Sequence, residues 1–191
     1  MKNKAAFAFF DEAGVSDKPF VTKTWGKKGH TPCIASRGGW KTRSLMGMIL
    51  FTPHRKKTDN YVWIKKSTVN KEDILKMLQE LKKIYRRKKL IILWDGLAAH
   101  KALIVKDFIN ENISWLTVHR FPAYAPELNP QEYQWSSLKR KYLGNYCPPT
   151  MKHLERKARN GINKMKKDSK LLKGFLKKSG LWLVKELGEG Q

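Results

Sequence analysis

Apolar positions recur along this chain in two rhythms. Short continuous runs suit strands buried on both faces, and longer stretches with a three-to-four-residue beat suit helices packed on one side. "AAFAFFDE" predicts a first strand, "RSLMGMILFT" a second that stops at Pro53, and "NYVWIKKST" a third rich in β-branched and aromatic residues. "VNKEDILKMLQELKKIYRR" then places Ile74, Leu75, Met77, Leu78, Leu81 and Ile84 on one helical face, with Asn70 as N-cap. "KKLIILWDG" predicts a fourth strand, and "HKALIVKDFINEN" a short helix with Leu103, Ile104, Phe108 and Ile109 inward. "ISWLTVHRFP" predicts a fifth strand halted by Pro122, and after the loop "AYAPELNP" a helix starts at Pro130 and carries Tyr133, Trp135, Leu138 and Tyr142.

Three strands in succession followed by β-α-β alternation imply an α/β fold with a mixed five-stranded sheet. An antiparallel meander is extended by parallel crossovers, with helices on both faces. After "NYCPP" the character changes: residues 147–191 carry twelve Lys and Arg against four acidic residues. Met151, Leu154, Ala158, Ile162 and Met165 are spaced for one helix, and Leu171, Leu172, Phe175 and Leu176 for a second that Gly180 stops. The expected organisation is one domain over 1–146 and a basic helical extension over 147–191 packed on it.

Charge narrows the function. The 191 residues hold 40 Lys and Arg but 16 Asp and Glu, a formal net charge of +24, which calls for a polyanionic partner, nucleic acid first. No stretch reaches the roughly 18–20 apolar residues that span a bilayer, so no membrane role is expected. The apolar run after "MKNK" is short and leads into Asp11 and Glu12, so it reads as a strand and not a signal peptide. Cys33 and Cys147 have no metal or redox spacing, and the five histidines are scattered, which fits a reducing, cytoplasmic setting and no zinc site.

Against that basic background the placement of three carboxylates stands out. Asp95 follows the most apolar strand, where a charge needs a cap, an ion-pair partner or a metal to offset it. Asp11 ends the first strand, and sites in open α/β sheets gather at the carboxyl ends of strands, so adjacent central strands would bring the two together. Glu132 sits three residues after Asn129, with Pro130 between, which reads either as a capping box or as a metal ligand. Glu127, in the preceding loop, is the weaker competitor for that ligand role.

Taken together, "FFDEAG", "LIILWDGLAAHK" and "FPAYAPELNPQEYQWSSLK" resemble the three signature blocks of DDE transposases, most closely bacterial insertion-sequence transposases related to the mariner group. The resemblance covers about residues 5–146. It implies an RNase H-like fold with Asp11, Asp95 and Glu132 as the catalytic, metal-binding triad, and Glu12, His100 and Asn129 in support. On local pattern alone His100 is a polar residue at a helix N-terminus, and Asn129 a cap. The implied cofactor is Mg²⁺ or Mn²⁺, as two ions, and the implied reaction is hydrolysis at a transposon end followed by attack of the freed 3′-hydroxyl on target DNA. "TWGKKGHTP" resembles a further family block, in which Trp25 has a core or turn role beside Gly29 and Pro32.

The expected partners are transposon-end and target DNA, with a homodimer implied because relatives pair two ends. Phosphate contacts are expected from Arg55, Lys56 and Lys57 and from Lys139, Arg140 and Lys141, with "YRRKK" at 85–89 and "KMKK" at 164–167 as further basic clusters. Only ten residues precede Asp11, so the helix-turn-helix module that relatives carry there is expected on a separate subunit or an upstream reading-frame product. The competing readings are a stand-alone RNase H-like nuclease and a silent, nucleic-acid-binding remnant of a transposase. The expected location is the cytoplasm, on the nucleoid.

Overall fold

The computed structural model describes residues 5–35, 40–52, 57–122 and 125–181. Five strands form one sheet: β1 (Ala6–Ser16), β2 (Thr42–Phe51), β3 (Thr58–Lys65), β4 (Leu90–Trp94) and β5 (Leu116–Arg120). Their spatial order is β3-β2-β1-β4-β5, with β1–β2 and β2–β3 antiparallel and β1–β4 and β4–β5 parallel. This is the mixed sheet that the order of runs implies.

Period-two alternation splits each central strand between two cores. Ala6, Ala8 and Phe10 of β1 join Met46, Met48 and Leu50 of β2 under α1 (Lys71–Tyr85) and α2 (Leu103–Glu111). Phe9 and Val15, with Leu45, Ile49 and Phe51, face the opposite layer. That layer is α3 (Pro130–Ser137), its π-helical continuation Leu138–Tyr142, α4 (Met151–Lys167) and α5 (Ser169–Lys178). Leu154, Ala158, Ile162, Met165, Leu172, Phe175 and Leu176 are buried in this second core, so the basic C-terminal helices are half of its walls.

Local signals place the helix ends. Asn70 and Asp73 form a reciprocal capping box at the start of α1, and Gly180, at φ 75°, follows the end of α5. Asn145 takes the left-handed conformation at φ 55°, and its side chain bonds both the N–H (2.8 Å) and the carbonyl (3.0 Å) of Thr22. The root of the long β1–β2 connection is thereby tied to the loop after the π segment.

Four expectations change. Asp11 does not end the first strand: β1 runs on to Ser16, because antiparallel pairing with β2 continues five residues past it, to Ser16↔Thr42. Ile84 is 54% exposed and Leu103 72% exposed, since each helix turns a narrower stripe inward than its apolar content suggests; Val105 takes the buried place in α2. Trp25 is 98% exposed, beside a turn in which the His30 N–H bonds the Lys27 carbonyl, so its core role is overturned. His100 is not at the start of α2 but in a separate 3₁₀ turn, Ala98–Lys101, because Ala102 leaves the helical conformation between them.

Asp59 links the sheet edge to the C-terminal helices. Its Oδ1 accepts from Lys166 Nζ at 3.0 Å and its Oδ2 from the Tyr61 hydroxyl at 2.8 Å. Burial alone would raise its pKa, but the bonds from Tyr61, Lys166 and the Asn60 N–H outweigh it and hold the carboxyl below its ordinary value. A depressed folded-state pKa stabilises above the unfolded value of 3.8 and is lost as pH falls below it. Asp59→Asn should therefore lower stability at pH 7 by about 1 kcal/mol, given the pair's exposure. That corresponds to a melting shift of about 2–4 °C. The gap should close under acid, and a pH-independent gap in paired thermal melts would contradict this account.

Candidate active site

The three candidate carboxylates come from different elements and meet at one end of the sheet. The last β1–β4 pair is Phe9↔Leu93, and continuing that register sets Asp11 level with Asp95, just past the end of β4. Glu132 arrives from the first turn of α3. Asp11, Asp95, Asn129 and Glu132 line an open cleft of about 410 Å³, with Arg120 at the end of β5 on its rim. The adjacent parallel strands β1 and β4 thus bring the two aspartates to one cleft, although Asp11 sits within its strand and only Asp95 lies past a strand end.

Three polar ties hold α3, and so Glu132, across the sheet. Asn129 Nδ2 donates to the Phe10 carbonyl on β1 at 3.4 Å. Gln134 Nε2 donates to Asn60 Oδ1 on β3 at 3.2 Å. Trp135 Nε1 donates to Asp11 Oδ2 at 3.0 Å, with both residues buried. This last approach needs a gap in β2. Gly47 is the residue paired with Asp11, and a Cβ there would overlap the Trp135 ring and the Gln131 amide.

Asn129 caps α3 by accepting from the Gln131 N–H at 3.1 Å. The reciprocal half of a capping box is missing, because the Asn129 N–H already donates to the Pro126 carbonyl at 3.0 Å. Glu132 is thus left exposed at the cleft. Glu127 lies in the short 3₁₀ turn Pro126–Leu128 and is not among the cleft-lining residues.

Asp11 and Glu12 are neighbours in a strand and so point to opposite faces. Asp11 faces α3; Glu12 faces the α1/α2 side, where its Oε1 meets His100 Nε2 at 3.1 Å. The other imidazole nitrogen, Nδ1, lies 3.0 Å from Asp95 Oδ1. The His100 side chain is fully buried, stacked on Trp94 at 4.4 Å between ring centroids and edge-on to Phe10. Burial disfavours its charge, but the bonds to Asp95 and Glu12 outweigh that and push its pKa up to about 9. An imidazolium donating both N–H groups is therefore clamped between two carboxylates. Asp95 also accepts from the Leu97 N–H at 3.1 Å. Burial opposes its ionisation too, yet His100, Leu97 and Lys101 hold its carboxyl below the ordinary range.

Asp11 has hydrogen bonds but, among the described residues, no cationic partner. Burial first, and then the charges of Glu132, Glu12 and Asp95, push its carboxyl up to about 8. Three carboxylates lining one cleft are a fitting donor set, by chemistry, for a hard divalent cation such as Mg²⁺ or Mn²⁺. Among the described residues, the group whose ligand atoms all lie within 4.8 Å of one another is a different one, Glu12, Asp95 and His100. In that cluster both ring nitrogens of His100 already face carboxylates.

The basic residues proposed from sequence are dispersed. Arg55 and Lys56 lie outside the described residues, and exposed Lys57 precedes β3 at the opposite end of the sheet from the cleft. Lys139, Arg140 and Lys141 follow α3 in the π segment. Sequence reading passed over Gly47 and Arg120, and gave Trp135 a place on the helix but no role at the site. Trp135, one turn on from Glu132 in the helix, is findable by spacing, and Arg120 shares the strand-end position that singled out Asp95. Gly47 has no local signal, because its role depends on what crosses it.

Gly47→Ala should displace Trp135 and cost about 1–3 kcal/mol as overpacking, seen as a melting drop of several degrees. An unchanged melting temperature would remove the Trp135 slot from this picture. His100→Phe retains a flat ring against Trp94 but leaves Glu12 with a buried, unpaired charge. Breaking a buried pair this way costs about 3–5 kcal/mol, and Glu12's residual exposure sets the lower end as the expectation. Restoration by Glu12→Gln in the same chain would identify the stranded charge as the cause.

A family model described as DDE superfamily endonuclease matches residues 6–155. Among solved structures, the chain is similar to Mos1 transposase in its paired-end complex with the left transposon end, at TM-score 0.58 and 18% identity, covering 91% of this chain and 55% of that one. It is similar to a pre-cleavage Mos1 transpososome at TM-score 0.57 and 17% identity (91% and 56% covered). For the Mos1 mariner paired-end complex with Mn the values are 0.56 and 19% (91% and 55% covered). The chain spans a little over half the length of those transposases, and at these identities the likeness is one of fold. No curated protein matches it. With the mixed sheet, the converging carboxylates and a family match over most of its length, this chain belongs to the DDE superfamily endonucleases.

Proposed function

We propose that this chain is the catalytic domain of a transposase, cutting DNA at a transposon end and joining the freed strand to target DNA. The observation that carries the proposal is the convergence of Asp11, Asp95 and Glu132 on one cleft, from two adjacent parallel strands and the first turn of a pinned helix. These three would hold Mg²⁺ or Mn²⁺, two ions being the number suited to an in-line displacement. A divalent ion bound there would lower the pKa of the attacking oxygen and offset charge on the leaving one.

The chain's own residues set the geometry. Trp135 fixes one oxygen of Asp11, and the Asn129 bond to the Phe10 carbonyl fixes the turn that carries Glu132. His100 holds Asp95 against rotation with one ring nitrogen and faces Glu12 with the other. Arg120, on the cleft rim, is suited to a phosphate oxygen beside the scissile one. The large positive charge supports DNA as the substrate. Recognition of specific ends would come from a helix-turn-helix module elsewhere in the polypeptide or on a separate subunit, and two copies would pair two ends. Such a substrate would place the protein on the nucleoid; among the described residues no helix is long and apolar enough to cross a membrane.

The test is nicking and joining of supercoiled plasmid with Mn²⁺, comparing wild type with Asp95→Asn and Glu132→Gln. Wild type should nick and yield joined products, and both variants should lose cutting while DNA affinity stays nearly unchanged. Cutting without joined products would reduce the activity to that of a nuclease. Substantial turnover by either variant would overturn the triad.

A further inference from the structure

We infer that the groove between the π segment and α4 is a binding track for one strand of the DNA phosphate backbone, separate from the catalytic cleft. It is an open depression of about 680 Å³, and its lining includes Lys141, Lys157, Asn160, Lys164 and Lys167. The four α4 residues are spaced i, i+3, i+7 and i+10, so they form one stripe along the helix. At 1.5 Å per residue the stripe is about 15 Å long. One DNA strand presents a charge per about 3.4 Å of axis, so the stripe matches about four phosphates with the four lysines of the groove.

Two features favour a ligand over a merely solvated face. No acidic residue lines the groove, and among the described residues none of its four lysines has an ion-pair partner. The acidic groups of this layer are engaged elsewhere: Glu155 pairs with Arg43 at 2.5 Å, Asp168 caps α5, and Asp59 holds Lys166. Unneutralised cations side by side repel one another, and a polyanion removes that repulsion. The second feature is shape. Gly161 lets α4 and the π segment close on each other, since a Cβ there would come within 2.7 Å of the Tyr142 ring. The lysines are thereby held on two walls of one trough, and Asn160 and Asn163 add neutral donors for phosphate oxygens.

The groove is also placed to extend the cleft. Glu132 and Lys141 lie nine residues apart on one nearly continuous helical rod, about 13 Å along its axis. A duplex with its reacting phosphate at the carboxylates could therefore reach the groove within a few base pairs. Taking the polyanion as DNA rests on the proposed transposase function; the groove's charge and shape do not.

The experiment is fluorescence-anisotropy titration of the full chain with a labelled DNA duplex over a salt series, without divalent metal. Lys157→Gln/Lys164→Gln/Lys167→Gln should flatten the slope of log affinity against log salt by about 2.7 and weaken binding at 0.1 M salt by more than about a hundredfold. The control is Lys76→Gln/Lys83→Gln/Lys106→Gln, which removes equal charge from exposed positions on α1 and α2; it should change both much less. Equal losses in the two variants, or wild-type binding by the groove variant, would overturn the track. Thermal melts establish that both fold. Plasmid nicking is read separately: if wild type fails to cut while the groove variant alone loses binding, the track stands and the transposase reading falls.

Discussion

Asp11 is a carboxylate in the middle of a paired strand, at the centre of the sheet, covered by a helix. Ionised, it is poorly solvated and surrounded by three other acids, which is why its pKa climbs to about 8. Much of the nearby structure serves that one placement. Gly47 opens β2 opposite it, Trp135 enters the opening and donates a hydrogen bond, and the same helix delivers Glu132. An acid-rich cleft of this kind suits a small multivalent cation, because single positive side chains offset several carboxylates less well.

The alternation of strand side chains divides labour between adjacent acids. Asp11 faces the cleft-forming helix, whereas Glu12 faces the other core and is matched by His100. The imidazolium then reaches across to Asp95. The two faces of the sheet are thus coupled at one end by a chain of three groups, Glu12, His100 and Asp95. Stacking on Trp94 and Phe10 confines the ring, so the clamp is positional as well as electrostatic.

The C-terminal helices do two jobs with one amphipathic design. Leu154, Ala158, Ile162 and Met165 complete the core beneath β1–β3, while the lysines of α4 stay in water. Burying the apolar stripe orients the basic stripe, and so a packing requirement sets the direction in which the charge is displayed.

Much of this was legible in the sequence, for a physical reason. Strand runs, helix stripes, the Asn70 and Asn129 caps and the stop at Gly180 are local: each depends on a few neighbouring residues and backbone preferences. The order of those elements was enough to imply a mixed sheet with parallel central strands; Asp11, Asp95 and Glu132 were singled out together by the resemblance of three sequence blocks to a family, since no one of them stands out by its local pattern alone. What tertiary structure alone decided concerns residues far apart in the chain. Register between β1 and β4 levels Asp11 with Asp95, the missing side chain at Gly47 admits Trp135, and His100 exchanges a helix-end role for a buried clamp. The same holds where local reading failed, at Ile84, Leu103 and Trp25, whose exposure is set by what lies opposite them. Periodicity says which residues share a face; only packing says which part of that face is covered, and by what.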